Sequence, residues 1–210
     1  MLDIILAVED ELSKAVGYKI ASYAGWNVEI IISKNGKGHL RKKIQSLCRT
    51  AKHSAIFLLV DLNSAYSCAP SLLQEWMKGI SLPPLLFFRI AVREVESWLL
   101  ADHEAMKTLL GTEGKLPLLP DILKNPKEEL LTLLKKKNKH IREGVVRLDN
   151  GEISQGIAYN STLSKWIDDH WLPERAAYRS DSLKRLLDRL STFERTAKAG
   201  KSNKRAALGG

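Results

Sequence analysis

The chain is expected to adopt an α/β fold: a mostly parallel sheet with helices on both faces, followed by a helical C-terminal portion. Two observations carry this expectation. Four short runs of nearly continuous apolar character alternate with helix-length segments over the first hundred residues, as strands buried on both faces require. After about residue 110 the apolar spacing becomes helical and the strand-like runs stop, apart from one short hairpin.

Asp3 to Val8 (DIILAV) reads as the first strand, and Glu11 to Ala24 follows with helical spacing at Leu12, Val16, Ile20 and Tyr23. Gly25 is placed to end that helix in the left-handed conformation. Asn27 to Ser33 (NVEIIIS) is the second strand, and Gly38 to Ala51 a basic helical connection. Ala55 to Val60 is apolar throughout and forms the third strand, and Pro70 opens a helix running to Met77. Leu85 to Val92 (LLFFRIAV) is the fourth strand, and Glu94 to Ala101 the helix after it.

Asp102 is suited to cap a helix from His103 to Leu110, which Gly111 then ends. Three prolines in KLPLLPDILKNP (Lys115 to Pro126) keep that stretch irregular, and Pro126 can start a helix over Lys127 to Lys137. Asn150-Gly151 marks a hairpin between two short polar strands. Helical spacing returns from Ala158 and closes with Ser180 to Phe193, capped by Ser180 and apolar at Leu183, Leu186, Leu187 and Leu190. The division is an α/β domain over 1–110, a helical portion over 111–194 packed on it, and a basic disordered tail over 195–210.

With 44% hydrophobic and 27% charged residues, the 210-residue chain has the composition of a globular protein. No apolar run approaches the roughly 20 residues that span a bilayer, and Met1-Leu2-Asp3 lacks the basic start of a signal peptide. Cys48 and Cys68 form no pair motif and read as reduced, buried thiols in a cytoplasmic protein. The net charge of +9 is uneven. Lys34 to Lys43, Lys135 to Arg142 and Arg195 to Arg205 each carry five Lys/Arg and no acid. The two internal clusters are candidates for phosphate contacts or for a solvated face. The scattered histidines have no zinc-ligand spacing, KNGKGH lacks P-loop spacing, and no Gly-x-Ser-x-Gly elbow occurs.

In an open parallel sheet, ligands bind beyond the carboxyl ends of the strands. The first strand leaves at Glu9, the third at Asp61 and Asn63, the fourth at Glu94 and Glu96. Carboxylates converging on one edge repel one another unless a cation neutralises them, and hard oxygen ligands suit Mg²⁺ or Mn²⁺. Each acid also has a plain structural reading. Asp10 and Glu11 fit the start of a helix, by capping and by its dipole, and Asp61 and Asn63 fit a turn.

Glu9 after the first strand and Asp61-x-Asn63 after the third resemble the Glu and Asp-x-Asp signature of the Toprim fold of topoisomerases, primases and the overcoming-lysogenization-defect nucleases. LAVEDELS, LLVDLNSAYSCAP and RIAVREVESWLLAD are similar to an uncharacterised bacterial group of Toprim-like proteins that accompany AAA-type ATPases and are linked to phage defence. The likeness covers roughly residues 2–110 and, more weakly, AAYRSDSLKRLLDRL. It implies that Glu9 handles a proton or a metal, that Asp61 is a metal ligand, and that Asn63 stands where a second aspartate belongs. Glu96, or Glu94, would then make good the missing charge, and no topoisomerase tyrosine can be located.

The expected activity is metal-dependent phosphodiester hydrolysis on nucleic acid, with catalytic Glu9, Asp61 and Glu96 and a metal held among Glu9, Asp61, Asn63, Glu94 and Glu96. Lys34, Lys37, Arg41, Lys42, Lys43, Arg89 and Arg93 would hold the nucleic-acid backbone. The expected partners are nucleic acid and an AAA-type ATPase, with no membrane, and a homo-oligomer is left open. The alternative is an inactive Toprim-like module that binds an ATPase or nucleic acid, using Trp166, Trp171 and the Leu183–Leu190 stripe as a docking face; ordinary core packing is the simpler role for those side chains.

Overall fold

The computed structural model describes residues 2–33, 36–62, 68–111, 115–136 and 144–193. Strands β1 (Leu2–Val8), β2 (Trp26–Ser33), β3 (Ala55–Asp61) and β4 (Leu86–Ala91) form one sheet in the order β2-β1-β3-β4, and every pairing is parallel. Helices α1 (Glu11–Tyr23), α2 (Gly36–Thr50) and α3 (Ala69–Trp76) make the crossovers. Both faces are covered, as the unbroken apolar strands require.

Period-two alternation sorts the strand side chains between two cores. Phe57 and Leu59 of β3 point to a core that includes Leu12, Val16 and Ile20 of α1. Ile56, Leu58 and Val60 point to the opposite core, built with Leu40, Ile44 and Leu47 of α2 and Leu72 and Trp76 of α3. After β4 the chain runs through α4 (Val95–Ala101), α5 (His103–Leu110) and α6 (Pro126–Lys135). The antiparallel hairpin β5 (Val146–Asp149) and β6 (Glu152–Gln155) follows. Then come α7 (Tyr159–Asp169), α8 (Pro173–Ala177) and α9 over residues 181–193.

The helical portion shares the α1-side core, so the two parts meet through apolar packing. Trp166 and Trp171 are 6% and 0% exposed, and Leu183, Leu186 and Leu190 are fully buried. That corrects the docking-face expectation: these side chains are spent on the core. Their indole N–H groups are paired inside it, Trp171 Nε1 donating to the Trp98 carbonyl at 3.1 Å and Trp166 Nε1 to that of Ala105 at 3.2 Å, and Trp26 Nε1 of β2 donates to the Leu190 carbonyl at 3.3 Å. Cys48 is buried as expected, whereas Cys68 is exposed. No described helix is long and apolar enough to cross a membrane. The tail over 195–210 lies outside the described residues.

Candidate active site at the carboxyl edge of the sheet

Because the sheet is parallel, its strands end at one edge, and the register aligns those ends. Val8 lies beside Leu59 and Ser33, and Asp61 beside Ala91. Three of the four strands, β1, β3 and β4, then hand over to acids. Asp10 caps α1, its Oδ1 accepting from the Ser13 amide at 2.8 Å, and Glu11 pairs with Lys14 at 3.0 Å. Those two residues have the helix-starting role that their position implies.

The other acids act between elements. Glu9 Oε1 accepts from the Asp61 amide at 2.9 Å, which joins the ends of β1 and β3. Asp61 Oδ1 accepts from the Val95 amide at 3.0 Å, and so satisfies the first turn of α4. Glu94 holds the N-cap position of α4 without capping it. Its Oε2 instead accepts from the Lys127 amide at 2.9 Å, at the start of α6.

Glu96 is in the first turn of α4, a helix buried on every side, and is 1% exposed. The Tyr159 hydroxyl donates to its Oε1 at 2.9 Å, and Lys127 Nζ stands 3.5 Å from the same oxygen. Glu96 Oε2 is buried without a hydrogen-bond partner. The Lys127 ammonium also lies 5.7 Å from the centroid of the Tyr159 ring, within cation–π range.

The electrostatics follow from this crowding. Burial pushes the Asp61 carboxyl well above the usual carboxylate range, and Glu96, Glu9, Asp10 and Glu94 push it further the same way. Glu96 is also raised, first by burial; Lys127 pulls against that, while Glu94 adds to it. Burial alone would weaken the charge on Lys127, but Glu96, Glu94, Asp10 and Asp61 outweigh it and raise the ammonium pKa. The edge thus concentrates negative charge in a partly dry place, where a cation is favoured.

Of the sequence-derived candidates, Glu9, Asp61, Glu94 and Glu96 are brought together through these bonds. Asn63 and Lys34 lie outside the described residues, as does the side chain of Lys37. The helix carrying the basic cluster starts from the same edge, since β2 ends at Ser33 level with Val8. Arg41, Lys42 and Lys43 are exposed on α2, with Arg41 ion-paired to Glu75. Arg93 is half-buried in the turn between β4 and α4, and Arg89 lines a separate groove beside β4. Among the described residues, no three His, Cys, Asp or Glu side chains form a group able to hold a metal ion. The oxygen donors at this edge are of the hard kind that suits a divalent cation, and Glu96 Oε2 is left unpaired among them.

Lys127 and Tyr159 are the site residues that sequence reading missed. One signal was present for Lys127: a cation in the first turn of a helix opposes the helix dipole, so it needs an acid from elsewhere. No protein-family model matches the chain, no curated protein matches its sequence, and no solved structure matches its fold.

Proposed function

We propose that this protein is a Toprim-like, metal-dependent phosphodiesterase acting on nucleic acid at the carboxyl edge of its sheet. The observation that carries the reading is the junction of Glu9 with Asp61 at 2.9 Å, which couples two strand-end acids where a parallel sheet binds its ligands. Glu9 and Asp61 would hold Mg²⁺ or Mn²⁺, together with Asn63 from outside the described residues. The ion, when bound, supplies Lewis-acid activation of a phosphate and of a water.

The remaining roles belong to the chain. Glu9 manages the proton of the attacking water. Glu96, too buried to touch substrate, holds Lys127 in place, and Lys127 balances charge as a phosphate approaches. The basic start of α2 leads the nucleic-acid backbone to the same edge without reading its sequence. A link to an AAA-type ATPase and to phage defence rests on the likeness of the sequence motifs.

One observation favours a second reading, an inactive binding module. Glu9, Asp61 and Glu94 each give an oxygen to a backbone amide of another element, the work of structural staples. Calorimetric titration of Mn²⁺ into the wild type and Asp61→Ala, with plasmid nicking on the same samples, separates the two. Binding and nicking present in the wild type and lost in the variant support the phosphodiesterase. A folded wild type that binds no Mn²⁺ overturns it and leaves the binding module.

A further inference from the structure

Strand β4 is the outer strand of the four-stranded sheet, and among the described residues its far edge has no strand partner. The carbonyls of Leu85 and Ala91 accept from Ile56 and Leu62, at 2.9 and 3.0 Å. Odd-numbered residues of β4 therefore turn their backbone toward β3, and the amides of Phe88 and Ile90 face outward.

A groove of about 910 Å³ runs along this open edge. Pro70 and Leu73 of α3 form one wall, and Arg185 and Arg189 of α9 the other. The strand's alternation divides the floor the same way: Phe87 belongs to the core on the α9 side, while Phe88 and Ile90 belong to the core on the α3 side. Arg89 shares the parity of Phe87 and carries its charge to the α9 wall.

Arg89 is the odd feature of the groove. Its Nη1 donates to the outward carbonyl of Phe88 at 3.1 Å, while its Nε is buried with no partner. Burial, with Arg189 adding its like charge, lowers its pKa to about 10. Arg185 is 82% exposed and reaches Asp181 only at 4.0 Å. Asp188 is the one acid among the described residues that line the groove, beside three arginines in the same lining. Among the described residues, a slot so built lacks two things, a strand partner for Phe88 and Ile90 and enough lining carboxylates to match its three arginines.

We propose that the β4 edge is a docking slot for an extended acidic segment of a partner polypeptide, which adds to the sheet as a further strand. Its apolar side chains alternate toward Leu73 and Ile90, and its carboxylates toward Arg89, Arg185 and Arg189. Strand addition draws affinity from the backbone ladder and specificity from the alternate side chains. The other occupants fit less well. A second copy paired through β4 would bring the same arginines face to face. The chain's own residues 195–210 carry five Lys/Arg and no acid. A nucleic-acid strand would satisfy the arginines but leave the apolar α3 wall and the strand amides unmatched. The proposal is independent of the phosphodiesterase reading.

The test uses the full chain and a labelled, capped peptide of about six residues, one strand length, alternating valine and glutamate. Fluorescence anisotropy reads binding, and amide hydrogen exchange reads its place. The expected result is saturable binding with new protection at Phe88 and Ile90. Arg189→Gln, an exposed and therefore fold-neutral change, and Arg89→Gln should each weaken it about tenfold, as loss of a charged hydrogen bond does. Of two peptides N-methylated only at the valines or only at the glutamates, the one whose blocked amides face β4 should fail. The proposal is overturned if both methylated peptides bind as well as the parent, if an oligothymidylate displaces the peptide at equal concentration, or if Phe88 and Ile90 gain no protection at saturation.

Discussion

Tyr159 lies 63 residues beyond Glu96 in the chain, yet its hydroxyl donates to Glu96 Oε1 at 2.9 Å inside the core. Burial and the Glu96 charge hold that hydroxyl protonated at every relevant pH. The bond ties the helical portion to the acidic edge. Tyr159→Phe keeps the ring beneath Lys127 and removes only the donor. We expect it to cost about 1–3 kcal/mol, the loss of a donor to a buried charged acceptor. Urea unfolding should show a lower midpoint at unchanged slope; an unchanged midpoint would mean that Lys127 alone satisfies Glu96.

The crowded acids predict an unusual pH response. The raised pKa values of Asp61 and Glu96 mean that the folded chain holds protons which the unfolded chain has already released. Each upward step in pH then favours the unfolded chain. Without divalent ions, the acids' contribution to stability should fall as pH rises from about 4, the usual carboxyl range, through the raised folded values. Asp61→Asn keeps an oxygen for the Val95 amide and removes one titration. Its stability profile should be flatter, and at pH 7 it should be the more stable of the two. Parallel profiles for wild type and variant would contradict this.

Asp102 is fully buried and holds four donors. Its Oδ1 accepts from the Ala105 amide and Arg175 Nε, its Oδ2 from the Leu172 amide and Arg175 Nη2. Asp102→Ala removes these bonds and leaves Arg175 only the His170 carbonyl and Glu104; it should cost about 2–4 kcal/mol, somewhat below the penalty for breaking a fully buried pair from one side. Arg175→Lys, which loses the fork but keeps the charge, should cost less. Thermal unfolding of both variants checks the order.

Two helical glycines should respond with opposite signs. A Cβ at Gly17 would stand 2.8 Å from Leu6 Cδ1 in the core between α1 and β1, whereas one at Gly38 would meet nothing within 4 Å. Gly17→Ala should destabilise by about 1–3 kcal/mol through overpacking. Gly38→Ala should stabilise by about 0.5–1 kcal/mol through helix propensity. Denaturant midpoints of the two variants lying on the same side of wild type would refute the packing account of Gly17.

The alternation of strands and helices was legible because local chemistry agrees with the fold. The apolar runs match β1 to β4 within a residue or two. Asp102 caps α5, Gly111 ends it at φ 67°, and Asn150-Gly151 turns the hairpin with both φ values positive. Strand order was not legible, since periodicity says which face a residue takes and not which strand lies beside it. The acids of the edge could be found because a parallel sheet carries strand ends to one place. Lys127 and Tyr159 could not, because long-range packing recruits them from the helical portion. Trp166 and Trp171 sit on amphipathic stripes that serve a core or a partner equally well, and only the packing of the helical portion assigns them to the core.

The bond from Trp26 to the Leu190 carbonyl spans 164 residues, and it sets a schedule for synthesis. The α1-side face of the sheet needs α9 as part of its cover, so a chain emerging from the ribosome presents Trp26 and Phe87 before their last packing partner exists. At about 5–20 residues per second, that interval lasts roughly 8 to 33 seconds for Trp26 and, counted from the end of β4 at Ala91, roughly 5 to 20 seconds for the four-stranded sheet. Over that time the nascent sheet is an incomplete layer with an apolar side, and the rate of translation through the helical portion governs how long it stays so.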